Sequence, residues 1–332
     1  MINPIPEAWH FVRHRLSAVH PFEVQAQLLN ACNLRCAYCK CPDVKTATLT
    51  AEQWIDAVRG LARAGTRRFK AQGGEPTLFK GLGDICAVAQ SLGMKTAVTT
   101  NGFGIARDPS LLDHLDEIVV SLDALDPARH DRWRGAGSHE VGMTALALAA
   151  DRGVKAYVNM IVHRDTWPDL LPMLEFCEQR GFRLNAQAVM FATDYHDEGA
   201  ADLGLSQRDE SRLYSELAEL ARQGRSLMFA AATYERTARW PDYAARVRAM
   251  EGVSGCMAGR YYIHIEPNGD VHPCNYHLGS FTPKNMIRDG LEAALRHARR
   301  HNCADCGVPH LDERKLLFAF RPAAILQLAR RG

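Results

Sequence analysis

Four cysteines fall within ten positions in the stretch ACNLRCAYCKCPD: Cys32, Cys36, Cys39 and Cys41. Four more come late, at Cys256, Cys274, Cys303 and Cys306. The first three are spaced C-x3-C-x2-C, one thiolate short of the four that normally saturate a four-iron cube, so one iron would stay open to a small-molecule ligand. Zinc competes, but structural zinc wants four closed ligands and catalytic zinc usually includes histidine. In the late set, Cys256 and Cys274 are spaced C-x12-G-x4-C around Gly269, and Cys303 and Cys306 form a compact C-x2-C hook. Four thiolates there would saturate either a cubane or a structural zinc. Cys86 and Cys177 stand alone in helix-like segments and read as small buried hydrophobes, and Cys41 as an incidental loop thiol.

The elements that must position these groups alternate along the chain. The strand-like runs are FEVQAQLLNAC (22–32), RRFKAQGG, KTAVTTNG, EIVVSLD, KAYVNMIVHR and RLNAQAVMF. Helical stretches over 48–65, 81–92, 109–115, 139–152, 168–180 and 206–223 separate and close them, the first with Thr50 and Gln53 in capping-box register. Strict alternation implies a parallel sheet with right-handed crossovers, and six units fall short of a complete eight-unit barrel. The expected fold is α/β: a partial (β/α)6 TIM-like barrel over 21–225, preceded by a helical segment in 1–20. From about 226 the pattern changes. RYYIHIEPNGDVHPCN reads as a hairpin turning at PNG, within a small cluster domain over 226–311, and a helical tail follows over 312–332. Cys32 to Cys39, GGEP (73–76), TTNG (99–102) and SLD (121–123) all end strands, and that rim is where barrels of this kind build active sites.

Composition narrows the class. The 332 residues carry a net charge of +2 and are 47% hydrophobic, enough for one large domain with an appendage and no global electrostatic case for nucleic acid. No run approaches the ~18 to 20 apolar residues of a membrane span. The opening MINPIPEAWH lacks the apolar core of a secretory peptide, so a cytoplasmic location, where thiols stay reduced, is expected.

C-x3-C-x-aromatic-C, with Tyr38 as the aromatic, followed by GGEP at the end of the second strand, resembles the signature of the radical S-adenosylmethionine (SAM) superfamily. The resemblance covers roughly residues 20 to 225. It implies a SAM-binding [4Fe-4S] cluster on Cys32, Cys36 and Cys39. Gly73, Gly74 and Glu75 would then meet the methionine amino group, Tyr38 the adenine, and Ser121 and Asp123 the ribose and methionine portion. Thr100 and Asn101 would lie nearby, and Arg134 would reach the methionine carboxylate. The C-x12-G-x4-C element resembles the start of the SPASM and twitch extensions. No cysteine follows Cys306, and Leu311 and Lys315 stand five and nine positions beyond it. A twitch-type domain is implied, with one auxiliary [4Fe-4S] cluster on Cys256, Cys274, Cys303 and Cys306.

The resemblance further implies an external electron donor of flavodoxin or ferredoxin type and reductive cleavage of SAM to a 5′-deoxyadenosyl radical that abstracts hydrogen from a substrate. The main expectation is net oxidation (dehydrogenation) or epimerisation of a small metabolite, with the auxiliary cluster in electron transfer. A peptide substrate, as in the maturation of ribosomally made peptides, is the alternative. A lipid, suggested by the apolar, basic tail, and a non-catalytic iron–sulfur or zinc scaffold are further ones. An oxidation also needs a proton acceptor, for which His264, Glu266, His272 and His277 are candidates the sequence does not rank.

Overall fold

The computed structural model of the chain describes residues 21–190, 202–244, 247–248, 256–276, 278, 281–301 and 305–318. The expected N-terminal helix (5–17), Cys303, His277 and the tail beyond 318 lie outside the described residues.

Six parallel strands form as expected: β1 (Glu23–Gln27), β2 (Arg68–Gln72), β3 (Lys95–Thr100), β4 (Glu117–Ser121), β5 (Lys155–Val162) and β6 (Arg183–Ala188). The helices between them are α1 (Ala51–Arg63), α2 (Leu82–Ser91), α3 (Phe103–Arg107), α4 (Pro127–Arg134), α5 (Ser138–Asp151) and α6 (Leu170–Arg180). After β6 come α7 (Gln207–Arg222) and α8 (Ala231–Ala238). The capping box of α1 is present, with the Thr50 hydroxyl accepting from the Gln53 amide and the Gln53 side chain accepting from the Thr50 amide. The stretch expected as a helix over 109–115 is a 3-10 turn, Pro109–His114, preceded by the short α3. Helix α4 was not anticipated because PARHDRWR has no apolar stripe. Its start was nonetheless encoded, by Asp126 as N-cap and Pro127 in the first turn.

The C-terminal hairpin does not form a sheet of its own. Beyond the two-residue β7 (Val247–Arg248), β8 (Tyr262–Ile265) pairs parallel with β1, β9 (Asp270–His272) returns antiparallel, and β10 (Lys284–Asn285) pairs with β9. The result is one nine-stranded sheet in the order β10-β9-β8-β1-β2-β3-β4-β5-β6. A β1–β8 ladder joins segments some 240 residues apart, a pairing that local pattern cannot reveal. Helix α9 (Leu291–Arg299) follows β10. β11 (Asp305–Cys306) pairs with β7, and α10 (Pro309–Phe318) crosses back toward the barrel.

The sheet has two unlike faces. Val24, Ala26, Phe69, Ala71, Val98, Ile118, Val120, Val158, Met160, Leu184, Ala186, Ile263 and Ile265 face the helices and form the main core with Trp54, Leu61, Ile85, Leu146 and Leu174. The alternate positions line the inner face: polar Glu23, Gln25, Gln27, Arg68, Lys70, Gln72, Thr99, Ser121, Asn159, Asn185, Gln187, Tyr262 and His264, with Ala97, Val119, Tyr157 and Ile161 among them on the middle strands. Strands with both faces buried in apolar protein read as continuous hydrophobic runs. E-V-Q-A-Q and R-F-K-A-Q instead alternate, which marks the inner face as polar. Cys86 and Cys177 are buried among apolar neighbours on the helix side, as expected.

Candidate functional site

The cysteine loop leaves the end of β1 and is held by neighbours on both sides. The Cys39 amide donates to the Cys36 carbonyl at 3.0 Å, and the Leu34 amide points at the Cys32 sulphur at 3.4 Å. From the other side, the C-terminal turn of α4 grips the loop: the Trp133 carbonyl accepts from the Ala37 amide at 2.9 Å, and the Arg134 carbonyl lies 3.7 Å from Cys36 Sγ. Burial pushes the Cys36 thiol up to about 12, so a thiolate there needs a cation to offset the loss of water, which cluster iron would supply. Cys41 points elsewhere. Its buried sulphur lies 3.8 Å from Asn30 Oδ1 and 3.9 Å from Gln27 Nε2, behind the loop.

Among the described residues no three His, Cys, Asp or Glu side chains converge tightly enough to hold a single metal ion.

The GGEP turn has a local explanation. A Cβ on Gly74 would collide with the carbonyl oxygens of Asn30 and Ala31, and one on Gly73 with that of Leu29. The Gly74 and Glu75 amides donate to the Leu29 and Ala31 carbonyls, each at 2.9 Å. The diglycine thus permits β2's end to lie against the backbone leading into Cys32. Glu75, for which the resemblance implies a contact with the methionine amino group, is buried and hydrogen-bonded to its protein neighbours. Oε1 accepts from the Thr77 amide (3.0 Å), the Thr77 hydroxyl (2.6 Å) and the Thr100 hydroxyl (2.7 Å), and Oε2 from the Asn101 amide (2.7 Å). A fully buried carboxylate meets these donors because each backbone or hydroxyl hydrogen would otherwise be stranded. Asn101, fixed this way, donates to Asn33 Oδ1 at 2.8 Å and stands 3.8 Å from Cys32 Sγ.

A second buried network braces the far side of the loop. Asp123, 0% exposed, accepts from Tyr38 Oη (2.5 Å), Arg134 Nε (2.6 Å), Arg134 Nη2 (2.9 Å) and the Ile161 amide (2.8 Å). Its own amide donates to His130 Nδ1 at 3.0 Å. Burial raises the Asp123 carboxyl, but the facing Arg134 guanidinium outweighs it and holds the group below 3.8. Arg134, which sequence alone could place equally on the surface, is buried and bidentate with Asp123. Its guanidinium also lies over the Tyr38 ring, 5.6 Å from the centroid. Tyr38 is therefore committed to Asp123 through its hydroxyl, and its ring packs with Val189 and Ile161 at the ends of β5 and β6. Ser121 ends β4 on the inner face, opposite Asn159. The structure thus brings Tyr38, Glu75, Asn101, Asp123 and Arg134 together around the cysteine loop, while Ser121 makes no hydrogen bond to it among the described residues. It adds Asn33, Thr77, His130 and Trp133, whose signals were contacts, not motifs.

In the late set, Cys256, Cys274 and Cys306 share one apolar cluster with Met190, Ala258, Tyr262, Tyr276, Val308 and Leu311. Cys256 and Cys274 both act electrostatically on Cys306 and on the Tyr262 hydroxyl, and burial raises both of those groups further. Of the candidate proton acceptors, His264 is fully buried on the inner face, its Nδ1 3.4 Å from Gln72 Nε2, and burial pushes it down to about 3. His272 Nε2 pairs with Glu266 Oε2 at 2.9 Å. Four buried polar atoms on the inner face have no protein partner among the described residues: Gln25 Oε1, Asn185 Oδ1, Gln187 Oε1 and His264 Nε2.

A family model for the radical SAM superfamily matches residues 27–177, and one for SPASM, an iron–sulfur cluster-binding domain, matches 256–307. The chain thus carries a radical SAM domain followed by a SPASM-type iron–sulfur domain. As a radical SAM protein with a SPASM-type domain, it has the two parts that imply SAM and [4Fe-4S] clusters. The PqqA peptide cyclase of Rhizobium meliloti (strain 1021) is 28% identical over 285 residues, 83% of this chain and 72% of its own. The sporulation killing factor maturation protein SkfB of Bacillus subtilis (strain 168) is 26% identical over 336 residues, 95% of this chain and 78% of its own. Among solved structures, Streptococcus suis SuiB bound to its precursor peptide SuiA shares this radical SAM fold. Its TM-score is 0.67 at 19% identity, over 91% of this chain and 75% of that one. No helix among the described residues is long and apolar enough to cross a membrane.

Proposed function

We propose that this radical SAM enzyme modifies a peptide. The observation that carries the reading is that two relatives spanning most of the chain are named for peptide cyclisation and for maturation of a killing factor. The relatives favour this reading over the small-metabolite expectation, which the single auxiliary cluster had suggested. The inner face supports it: four buried polar atoms without protein partners suit a ligand that brings an amide N–H and a carbonyl at every residue.

In this reading Cys32, Cys36 and Cys39 hold the SAM-binding cluster, and Cys256, Cys274, Cys303 and Cys306 hold the auxiliary one. When bound, the reduced cluster and SAM supply a 5′-deoxyadenosyl radical able to take hydrogen from an unactivated carbon. The chain's own residues orient and enclose. Gly73 and Gly74 bring β2 against the cysteine loop, leaving their backbone to face the methionine end of SAM. Glu75 acts at one remove, fixing Thr100 and Asn101 beside Cys32. Asp123, Arg134 and Tyr38 lock the other flank of the loop, and Ser121 stands at the rim for the ribose. The polar inner face then positions the peptide, with His264 facing it from β8. A flavodoxin- or ferredoxin-type protein supplies electrons, and the net reaction is an oxidation.

The test is anaerobic reconstitution followed by iron and sulfide analysis and assay of 5′-deoxyadenosine after reduction with SAM. Two cubanes bring about eight irons per chain. A protein holding about eight irons that forms 5′-deoxyadenosine supports the reading, and one that never forms it with any peptide offered overturns it.

A further inference from the structure

Helix α10 carries four consecutive charged residues, of which Asp312, Glu313 and Lys315 are buried and Arg314 is partly buried. Charged side chains are rarely buried unless paired, so each should have a defined partner. Glu313 accepts from the Ala230 amide at 3.0 Å and from the Thr233 hydroxyl, pinning α10 to α8. Arg314 pairs with Glu23 at the base of β1. Asp312, 0% exposed, accepts from Arg236 Nε at 3.0 Å and from the Thr237 hydroxyl at 3.3 Å.

Lys315 completes the set. It is only 6% exposed, and its Nζ lies 3.4 Å from Asp312 Oδ1 and 3.5 Å from Cys306 Sγ. Asp312 therefore faces two cations, Arg236 and Lys315. The end of that trio nearest the sulphur is the ammonium. The Lys315 charge acts on Cys306, which shares its apolar surroundings with Cys256 and Cys274. With little water to screen it, a positive charge at this range acts strongly.

We propose that Lys315 sets the reduction potential of the auxiliary cluster, its ammonium stabilising through Cys306 the negative charge that one-electron reduction adds. Charge and hydrogen bonds at cluster sulphurs are established levers on potential. The inference rests on the reading of Cys306 as a ligand, and Lys315 acts through that ligand as a positioning residue.

The experiment is a potentiometric titration of the reconstituted full chain, followed by electron paramagnetic resonance, with iron counted in parallel. Lys315→Met should retain its iron and move the auxiliary midpoint to more negative potential, while the midpoint of the cluster on Cys32, Cys36 and Cys39 stays in place. Lys315→Arg, which keeps the charge, should stay near the native value. An unmoved auxiliary midpoint in Lys315→Met, or equal shifts at both clusters, overturns the proposal. If Lys315→Met holds no auxiliary cluster, Lys315→Gln and Lys315→Arg decide: a more negative midpoint in the Gln variant than in the Arg variant supports it, and equal midpoints refute it. Cys306→Ala separates this from the ligand reading. Full retention of iron in that variant sinks the ligand assignment, whereas loss of iron there beside an unmoved Lys315→Met midpoint sinks the tuning alone.

Discussion

Replacing Arg134 by methionine takes the cation from Asp123 while leaving the carboxylate in the protein interior. Asp123 is 0% exposed, and two of its four hydrogen bonds, at 2.6 and 2.9 Å, come from Arg134. Removing one partner of a buried pair costs about 3–5 kcal/mol, because the remaining charge is neither solvated nor matched. The Tyr38 hydroxyl and the Ile161 amide still donate, which places the expectation at the lower end of that range. Urea unfolding of anaerobic protein, followed by circular dichroism, measures it. The double variant Asp123→Asn/Arg134→Met removes both charges and should lose less than the sum of the single changes, with a coupling of about 1–3 kcal/mol. A cost below about 1 kcal/mol for Arg134→Met, the worth of an exposed pair, would refute the account of a buried brace behind the cysteine loop.

Other outcomes follow from the same geometry. Asp123 has a folded-state value below 3.8, so its contribution to stability is fully present above that pH and is lost as pH falls through the lower folded value. In Arg134→Met burial is opposed less, by the remaining Tyr38 and Ile161 donors and His130, so the folded value rises and acid unfolding monitored by circular dichroism should begin at higher pH than in the native protein. Gly74→Ala forces a Cβ against the Asn30 and Ala31 carbonyls. It should cost at least the roughly 1–3 kcal/mol of an overpacked site and lower the occupancy of the adjacent cluster, read by iron content. Alanine at Cys32, Cys36 or Cys39 should remove about four irons and abolish 5′-deoxyadenosine formation. Cys41→Ala should keep both, since that thiol faces Asn30 and Gln27.

What the sequence made legible was local. Six strands, the Thr50–Gln53 capping box and the PNG hairpin are each encoded within a few residues, and the structure contains all of them. The pairing of β8 with β1 was not legible, because nothing in YIHI names its partner across the chain. The site divides in the same way. The residue types around the cysteine loop could be picked from motifs, but their directions could not. Glu75 reads in GGEP only as a ligand, and nothing in the motif shows that it also ties together Thr77, Thr100 and Asn101. Arg134 looks like a surface residue in DRWRG until α4 turns it onto Asp123. The polar inner face was written in the alternation of EVQAQ and RFKAQ, a signal masked by reading those runs only as strands.

The central claim is that the chain uses SAM to take hydrogen from a peptide. Its most direct test offers the reconstituted, reduced enzyme deuterated candidate peptides and measures deuterium in the 5′-deoxyadenosine formed. The account predicts that label passes from peptide to 5′-deoxyadenosine as the peptide loses hydrogen. Product peptide formed with no label transferred from any deuterated position would contradict it.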